Sequence, residues 1–131
     1  MSAVVRSAVA RHEVVVSTDG LEQSLTVSPK SSGAGSNVNG GEFLMLALAT
    51  CYCNDLYREA ARLGMSIESV EVQASAEFPG IGLAATNITY RARVASPASA
   101  AEIAELLRVT DAVAEIHNTV RSGVPVMLER S

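Results

Sequence analysis

The chain has 131 residues, with ten basic and fourteen acidic side chains and a formal net charge of −4, a size that suits a single domain. A net negative charge repels a phosphate backbone and no cluster of Lys and Arg offsets it, so we expect no nucleic-acid partner. No run approaches the roughly 18 apolar residues of a membrane span, and we expect a cytoplasmic protein without a membrane segment.

The first forty residues predict an antiparallel β-meander followed by a loop. Short β-branched runs predict strands at Val4–Val9 and Glu13–Ser17, and the turn Thr18-Asp19-Gly20 precedes a third strand at Leu21–Ser28. The following stretch, PKSSGAGSNVNGG, is rich in Gly and Ser. It predicts either a mobile loop that leads into a helix or a simple linker.

A long helix is predicted from Glu42 to Leu63, with Gly64 just after its end. The first half of this helix, FLMLALAT, is apolar on every side, a pattern typical of helices that are buried on all faces. The rest of a chain of this length supplies too little cover for such a helix. The pattern therefore predicts a second subunit, and we expect a homodimer.

The second half of the chain predicts two more strands, two helices and a final strand. The strands are expected at Ile67–Phe78 and Ala85–Val94, and the box Ser99-x-x-Glu102 marks the start of a helix. After a weaker stretch around Val109–Asp111, the expected elements are a short helix and a last strand, at Ala112–Asn118 and Val124–Leu128. This order predicts an α+β fold with a largely antiparallel sheet, in one domain over residues 1–131.

Both cysteines, Cys51 and Cys53, lie in the long helix, two positions apart. They are about 200° apart around the helix axis, so they cannot form a disulfide without unwinding it. Cys51 lies on the same helix face as Asp55 and Arg58, and this face changes from apolar to polar along the helix. Cys53 instead stacks with Leu56. A reactive thiol and a plain core residue are both open for Cys51. The Cys/His spacing of a zinc site is missing, so we expect neither a metal nor a cofactor.

The motif ALATCY stands in the apolar helix, with the Gly-rich loop SGAGSNVNGGE before it and AARLGMSIESVEVQASAEF after it. With STDG near the N-terminus and HNTVRSGVPV near the C-terminus, the ordered set resembles the OsmC/Ohr family of thiol peroxidases over nearly the whole chain. The resemblance implies an OsmC-like α+β fold with a mostly antiparallel sheet and a long buried central helix. It also implies an intertwined homodimer.

The resemblance assigns roles to three residues. Cys51 falls on the family's peroxidatic cysteine, and Arg11 falls on the arginine that stabilises thiolate and peroxide. Glu42 falls near the family's carboxylate and is expected to hold Arg11. From the residues alone, Arg11 is equally a solvated residue at a strand edge, and Glu42 is equally an acidic residue that favours the helix dipole.

Two departures from the family pattern bear on function. The sequence before Glu42 is Asn39-Gly40-Gly41, without the usual proline, and Ala114 stands where peroxidase members have a resolving cysteine. His117 is either a general base or a capping and packing residue. We therefore expect a one-cysteine peroxidase that acts on organic hydroperoxides with an external thiol reductant. The alternative is a non-catalytic dimer that binds a small apolar ligand or a partner.

Overall fold

The computed structural model describes residues 1–130 and has an α+β fold with antiparallel strands, as the sequence predicts. Two compact units make up the chain: Met1–Phe43, and a second unit that begins at Leu44. Within residues 1–130 the elements are β1 (Ser2–Ala8), β2 (Arg11–Thr18), β3 (Leu21–Leu25), α1 (Gly40–Arg62), β4 (Ser69–Glu77), β5 (Thr86–Ala95), α2 (Ala100–Val113) and α3 (Glu115–Ser122).

The first unit contains the predicted meander, with the three strands in the order β1-β2-β3 and each pair antiparallel. Thr18 pairs with Leu21, so Asp19 and Gly20 alone make the connection between β2 and β3. Both have positive φ, 51° and 80°, as a type I′ turn requires, and Asp-Gly is a preferred pair for this turn. The predicted turn is confirmed.

Helix α1 is closed at both ends by its own sequence. The Asn39 side chain accepts from the N–H of Glu42 at 2.8 Å, and the Glu42 carboxylate accepts from the N–H of Asn39 at 3.0 Å, which is a capping box. At the other end Gly64 has a φ of 70°, and the N–H of Met65 donates to the carbonyl of Ala60. This is a Schellman motif, and it confirms the predicted role of Gly64.

The first half of α1 is not covered on every side by the residues of one chain. Leu48 is buried, whereas Leu46 is 57% exposed and Phe43, Leu44 and Met45 are half-buried. The prediction of burial on all faces is therefore not met within a single protomer. None of the helices in residues 1–130 is long and apolar enough to cross a membrane.

The core of the second unit lies where α1, α2 and the α2–α3 junction meet the β4–β5 ribbon. Its fully buried members are contributed by the three helical segments: Tyr52, Leu56, Ala60, Leu106 and Ala114. The inward side chains of β4 and β5, such as Val72 and Tyr90, pack against them because burial alternates along both strands. The aromatic-poor composition thus gives a core that is largely aliphatic.

Two expectations for the C-terminal part are wrong. Helix α2 starts at the predicted Ser99 cap but continues through Val109–Asp111, and the chain breaks instead at Ala114, where the backbone is extended with ψ 106°. Val124–Leu128 forms no strand in the part of the chain that the structure describes. The side chains of this segment are exposed, and that of Val126 is 99% exposed. A strand requires a neighbouring strand for its backbone hydrogen bonds.

Candidate functional site

The side chain of Cys51 is half-buried at the boundary between α1 and the start of α3. Its Sγ lies 3.7 Å from Oδ2 of Asp55, one helical turn further along α1. It also lies 3.9 Å from Oε2 of Glu115, the first residue of α3. Cys51 thus lies at a boundary position, as predicted, and two carboxylates lie beside its thiol.

The backbone of α3 also acts on this sulfur, because the N–H of Ile116 lies close enough to lower the pKa of the thiol. Burial raises the pKa of the Cys51 thiol, the Ile116 N–H lowers it, and the charges of Asp55 and Glu115 raise it further. The net direction is upward. Within the second unit, the thiol form is therefore favoured more than in a free cysteine.

Arg58 links the two carboxylates that flank the thiol. One of its nitrogens lies 3.1 Å from Oδ1 of Asp55 and 3.8 Å from Oε1 of Glu115. Arg58 therefore brings a cation close to Cys51, but it pairs with the acids and not with the sulfur. Burial raises the pKa of the Asp55 carboxyl, Arg58 opposes this, and Glu115 adds to it.

These three side chains also have the donor types of a metal site. One donor atom each from Cys51, Asp55 and Glu115 lies within 4.8 Å of the others. The Arg58 guanidinium lies beside both carboxylates and offsets part of their negative charge.

Cys53 lies on the other side of α1, outside this cluster. Both cysteines are free, as their positions around the helix require, and Cys53 is half-buried. The two thiols therefore differ in surroundings more than in exposure, because Cys51 alone belongs to the group of polar side chains around Asp55.

His117 is a buried packing residue. It is 3% exposed, and its ring contacts those of Tyr52 and Tyr90, with centroids 5.8 and 4.4 Å away. Neither ring nitrogen has a hydrogen-bond partner within residues 1–130. Burial and the charge of Arg121 lower the pKa of His117, while Asp111 and Asp55 oppose this, so the imidazole is held neutral.

A polar network next to His117 joins β5, α2 and α3. The Tyr90 hydroxyl donates to Oδ1 of Asp111, and Arg121 donates to the same oxygen at 2.6 Å. Tyr52 donates to the carbonyl of Leu107 at 2.7 Å, and burial raises its pKa to about 12. These bonds fix the two tyrosine rings, which contact each other at 4.7 Å between centroids and both contact His117.

A cavity of about 540 Å³ opens beside this cluster. Leu48, Ile88 and Val120 give it apolar walls, and His117 and Arg121 also line it. Its volume lies within the roughly 300–1,000 Å³ of small-molecule sites. The second unit therefore contains a space of the right size and polarity for a small apolar molecule.

The two other predicted site residues belong to the first unit. Arg11 is exposed at the start of β2 and lines a depression together with Arg6 and His12. Glu42 closes the capping box of α1, which is the helix-terminal role that the sequence left open for it. Their expected action on Cys51 stays a prediction.

The part of the site on α1 is predictable from the sequence, whereas the part on α3 is not. Asp55 and Arg58 share a helical stripe with Cys51, and the i, i+4 spacing was sufficient to place them together. Glu115 and Ile116 are more than sixty positions away in the sequence. Only the break at Ala114, which has no sequence signal of its own, brings them to the thiol.

The long capped helix carries a half-buried thiol and packs against an antiparallel ribbon and two short helices. This arrangement defines a class of thiol-bearing α+β proteins. A family model described as OsmC-like protein matches residues 33–129, and the chain belongs to this family. The resemblance seen in the sequence is thereby confirmed. No curated protein matches the chain.

Solved structures of the same family have the same fold. An OsmC-like protein from Mycoplasma pneumoniae is similar with a TM-score of 0.64 and 18% identity, covering 92% of this chain and 88% of that one. An OsmC-like protein of unknown function from Vibrio cholerae has a TM-score of 0.62 and 17% identity, with coverages of 90% and 91%. An organic hydroperoxide resistance protein OsmC from Legionella pneumophila has a TM-score of 0.61 and 14% identity, with coverages of 92% and 90%.

Proposed function

We propose that this OsmC-like protein reduces organic hydroperoxides through the thiol of Cys51. The observation that carries the proposal is the position of the sulfur, which is half-buried, lies near the Ile116 N–H and lies beside groups that can exchange protons. Membership of the family and the likeness to a hydroperoxide resistance protein support it.

In the proposed reaction the Cys51 sulfur attacks the distal oxygen of the hydroperoxide. The O–O bond breaks, an alcohol leaves and the sulfur becomes a sulfenic acid. Neither Ala114 nor the oppositely placed Cys53 can resolve it. An external thiol therefore condenses with the sulfenic acid, and a second external thiol releases Cys51 as the free thiol. A cytoplasmic location, expected from the sequence, provides such reductants.

Thiolate formation needs a positive partner, because the second unit by itself raises the pKa of Cys51. The Ile116 N–H supplies part of this at the start of α3, where the helix dipole favours negative charge. We propose Arg11 for the rest, with Glu42 as the carboxylate that orients it.

We propose that the working form is a homodimer. Leu46 is 57% exposed on the apolar half of α1, and Val126 and Leu128 are almost fully exposed at the end of the chain. A soluble monomer rarely carries so much exposed apolar surface. Sedimentation at micromolar concentration is expected to give twice the chain mass, and a compact monomer contradicts the proposal.

Sulfenic acid trapping tests the peroxidase function directly. The reduced protein is treated with cumene hydroperoxide and dimedone, and the modified residue is located by peptide mass spectrometry. The expected result is an adduct at Cys51 in the wild type and in Cys53→Ser, and none in Cys51→Ser. With dithiothreitol present, the same three proteins are expected to consume peroxide in the same pattern. Peroxide consumption that survives Cys51→Ser refutes the proposal.

A second candidate is the binding of a small apolar ligand without catalysis. The cavity beside His117 favours it, as do the raised pKa of Cys51 and the alanine at position 114. Val120→Trp would fill this cavity from α3. Under this reading, the wild type binds an apolar fluorescent probe such as anilinonaphthalene sulfonate, the variant does not, and neither consumes peroxide.

A further inference from the structure

The carboxylate of Asp55 is placed to exchange a proton with the Cys51 thiol. Its Oδ2 is 3.7 Å from Sγ, within range for an S–H donor, and its side chain is 7% exposed. Water does not compete with the thiol for hydrogen bonds to a buried carboxylate. It therefore has few proton donors other than the thiol itself.

Arg58 fixes the direction in which this carboxylate points. The guanidinium holds Oδ1 of Asp55 at 3.1 Å, which leaves Oδ2 for the sulfur. Glu115 is held in the same manner, through Oε1 at 3.8 Å, but 67% of its side chain is exposed and its Oε2 is further from Sγ, at 3.9 Å. Of the two acids, Asp55 is the closer and the better shielded.

We propose that Asp55 accepts the thiol proton of Cys51 and returns it to the alkoxide that leaves the hydroperoxide. This inference rests on the proposed peroxidase function and adds a catalytic residue to it. The sulfur electron pair forms the S–O bond as the O–O bond breaks, and the pair from that bond stays on the proximal oxygen. The proximal oxygen then takes the proton from Asp55. Thiol and hydroperoxide become sulfenic acid and alcohol, with the sulfur oxidised by two electrons and the carboxylate regenerated.

The surroundings of the thiol explain why such a relay is needed. A thiolate beside charged Asp55 and Glu115 is repelled by both, and transfer of the thiol proton to Asp55 removes one of these two negative charges. Burial also raises the pKa of the Asp55 carboxyl, which makes it a stronger proton acceptor than an exposed carboxylate. A positioned acid–base group of this kind contributes roughly 10²–10⁴-fold in rate.

Comparison of two reagents separates this role from a purely electrostatic one. In Cys53→Ser protein, the rates of Cys51 oxidation by cumene hydroperoxide and of its alkylation by iodoacetamide are measured at neutral pH. Iodide leaves without a proton, so alkylation reports the fraction of thiolate alone. Asp55→Asn removes a negative charge and raises that fraction.

For Asp55→Asn we expect faster alkylation but peroxide oxidation slower by about a hundredfold, the lower end of the range for acid–base catalysis. The matched control Glu115→Gln also removes a charge and is expected to quicken both reactions. Asp55→Glu keeps a carboxylate and is expected to retain more of the peroxide rate than Asn. Circular dichroism checks that each variant is folded, and Asp55→Ser replaces Asn if that variant is not.

The outcomes separate this inference from the function on which it rests. A wild-type protein whose Cys51 is inert to cumene hydroperoxide refutes the peroxidase function and the relay with it. A reactive wild type, together with an Asn or Ser variant that oxidises at least as fast, refutes the role of Asp55 alone.

Discussion

Replacement of His117 by Phe tests whether a neutral imidazole is buried in the second unit. The ring contacts those of Tyr52 and Tyr90, is 3% exposed and has both nitrogens without a partner in residues 1–130. Phenylalanine keeps the aromatic contacts and removes the two polar atoms. Each unsatisfied buried group costs about 1–3 kcal/mol. The larger ring has room to relax into the adjoining cavity, so we expect stability at neutral pH that is equal to or above that of the wild type.

The clearer consequence is in the pH dependence. The folded pKa of His117 is lowered by burial and by Arg121, with Asp111 and Asp55 in opposition, whereas the unfolded pKa is about 6.5. Below that pH the unfolded chain binds a proton at His117 that the folded chain does not bind, so the free energy of unfolding falls as pH falls. The slope reaches about 1.4 kcal/mol per pH unit until the folded pKa is reached. At about pH 5.5 the wild type is expected to have lost more stability than the variant, relative to pH 7, by up to about 1 kcal/mol.

Urea unfolding followed by circular dichroism measures this difference at fixed protein concentration, since an oligomer makes the midpoint depend on concentration. Titration of carboxylates that do not interact with His117 affects both proteins alike and cancels in the comparison. If the two stability curves fall in parallel between pH 7 and about pH 5.5, the His117 ring accepts its proton in the folded state and the reasoning is refuted.

Two further predictions concern Ala114 and Leu56. Ala114→Cys is expected to form a disulfide with Cys51 on mild oxidation, seen as a loss of two hydrogens in peptides that link positions 51 and 114, because the next two residues already contact Sγ. A variant that stays unlinked contradicts the alignment with the family's resolving cysteine. Leu56→Ala, at a fully buried position, is expected to lower the free energy of unfolding by about 2–5 kcal/mol. Leu83→Ala, at a position 59% exposed, is the control and should cost less than about 1 kcal/mol, so similar losses would contradict the assignment of the core.

Features that depend on neighbours in the sequence were predicted well. The Asp19-Gly20 turn, the Ser99 cap and the Gly64 terminus each rest on the conformational preference of one or two residues, and each is present. The grouping of Cys51 with Asp55 has the same local origin, because helical periodicity alone puts them on one face.

Features that depend on distant parts of the chain were not predictable in this way. Nothing near Ala114 marks a break, since alanine is a strong helix former, and its extended backbone follows from the packing of a fully buried side chain. The expected strand at Val124–Leu128 has the right composition but needs a hydrogen-bonding neighbour from elsewhere. Composition can indicate that a segment is able to pair without indicating what it pairs with.

Position 114 affects both the capping of α3 and the acidity of the Cys51 thiol, and these two effects oppose each other. Ala114 precedes the first turn of α3, where a serine or aspartate would ordinarily stabilise the helix by accepting the N–H of the second or third helical residue. The second helical residue is Ile116, whose N–H lowers the pKa of the Cys51 thiol. A better helix cap at 114 would therefore withdraw a donor from the sulfur, so selection for a more stable α3 and selection for a more acidic thiol act on this residue in opposite directions.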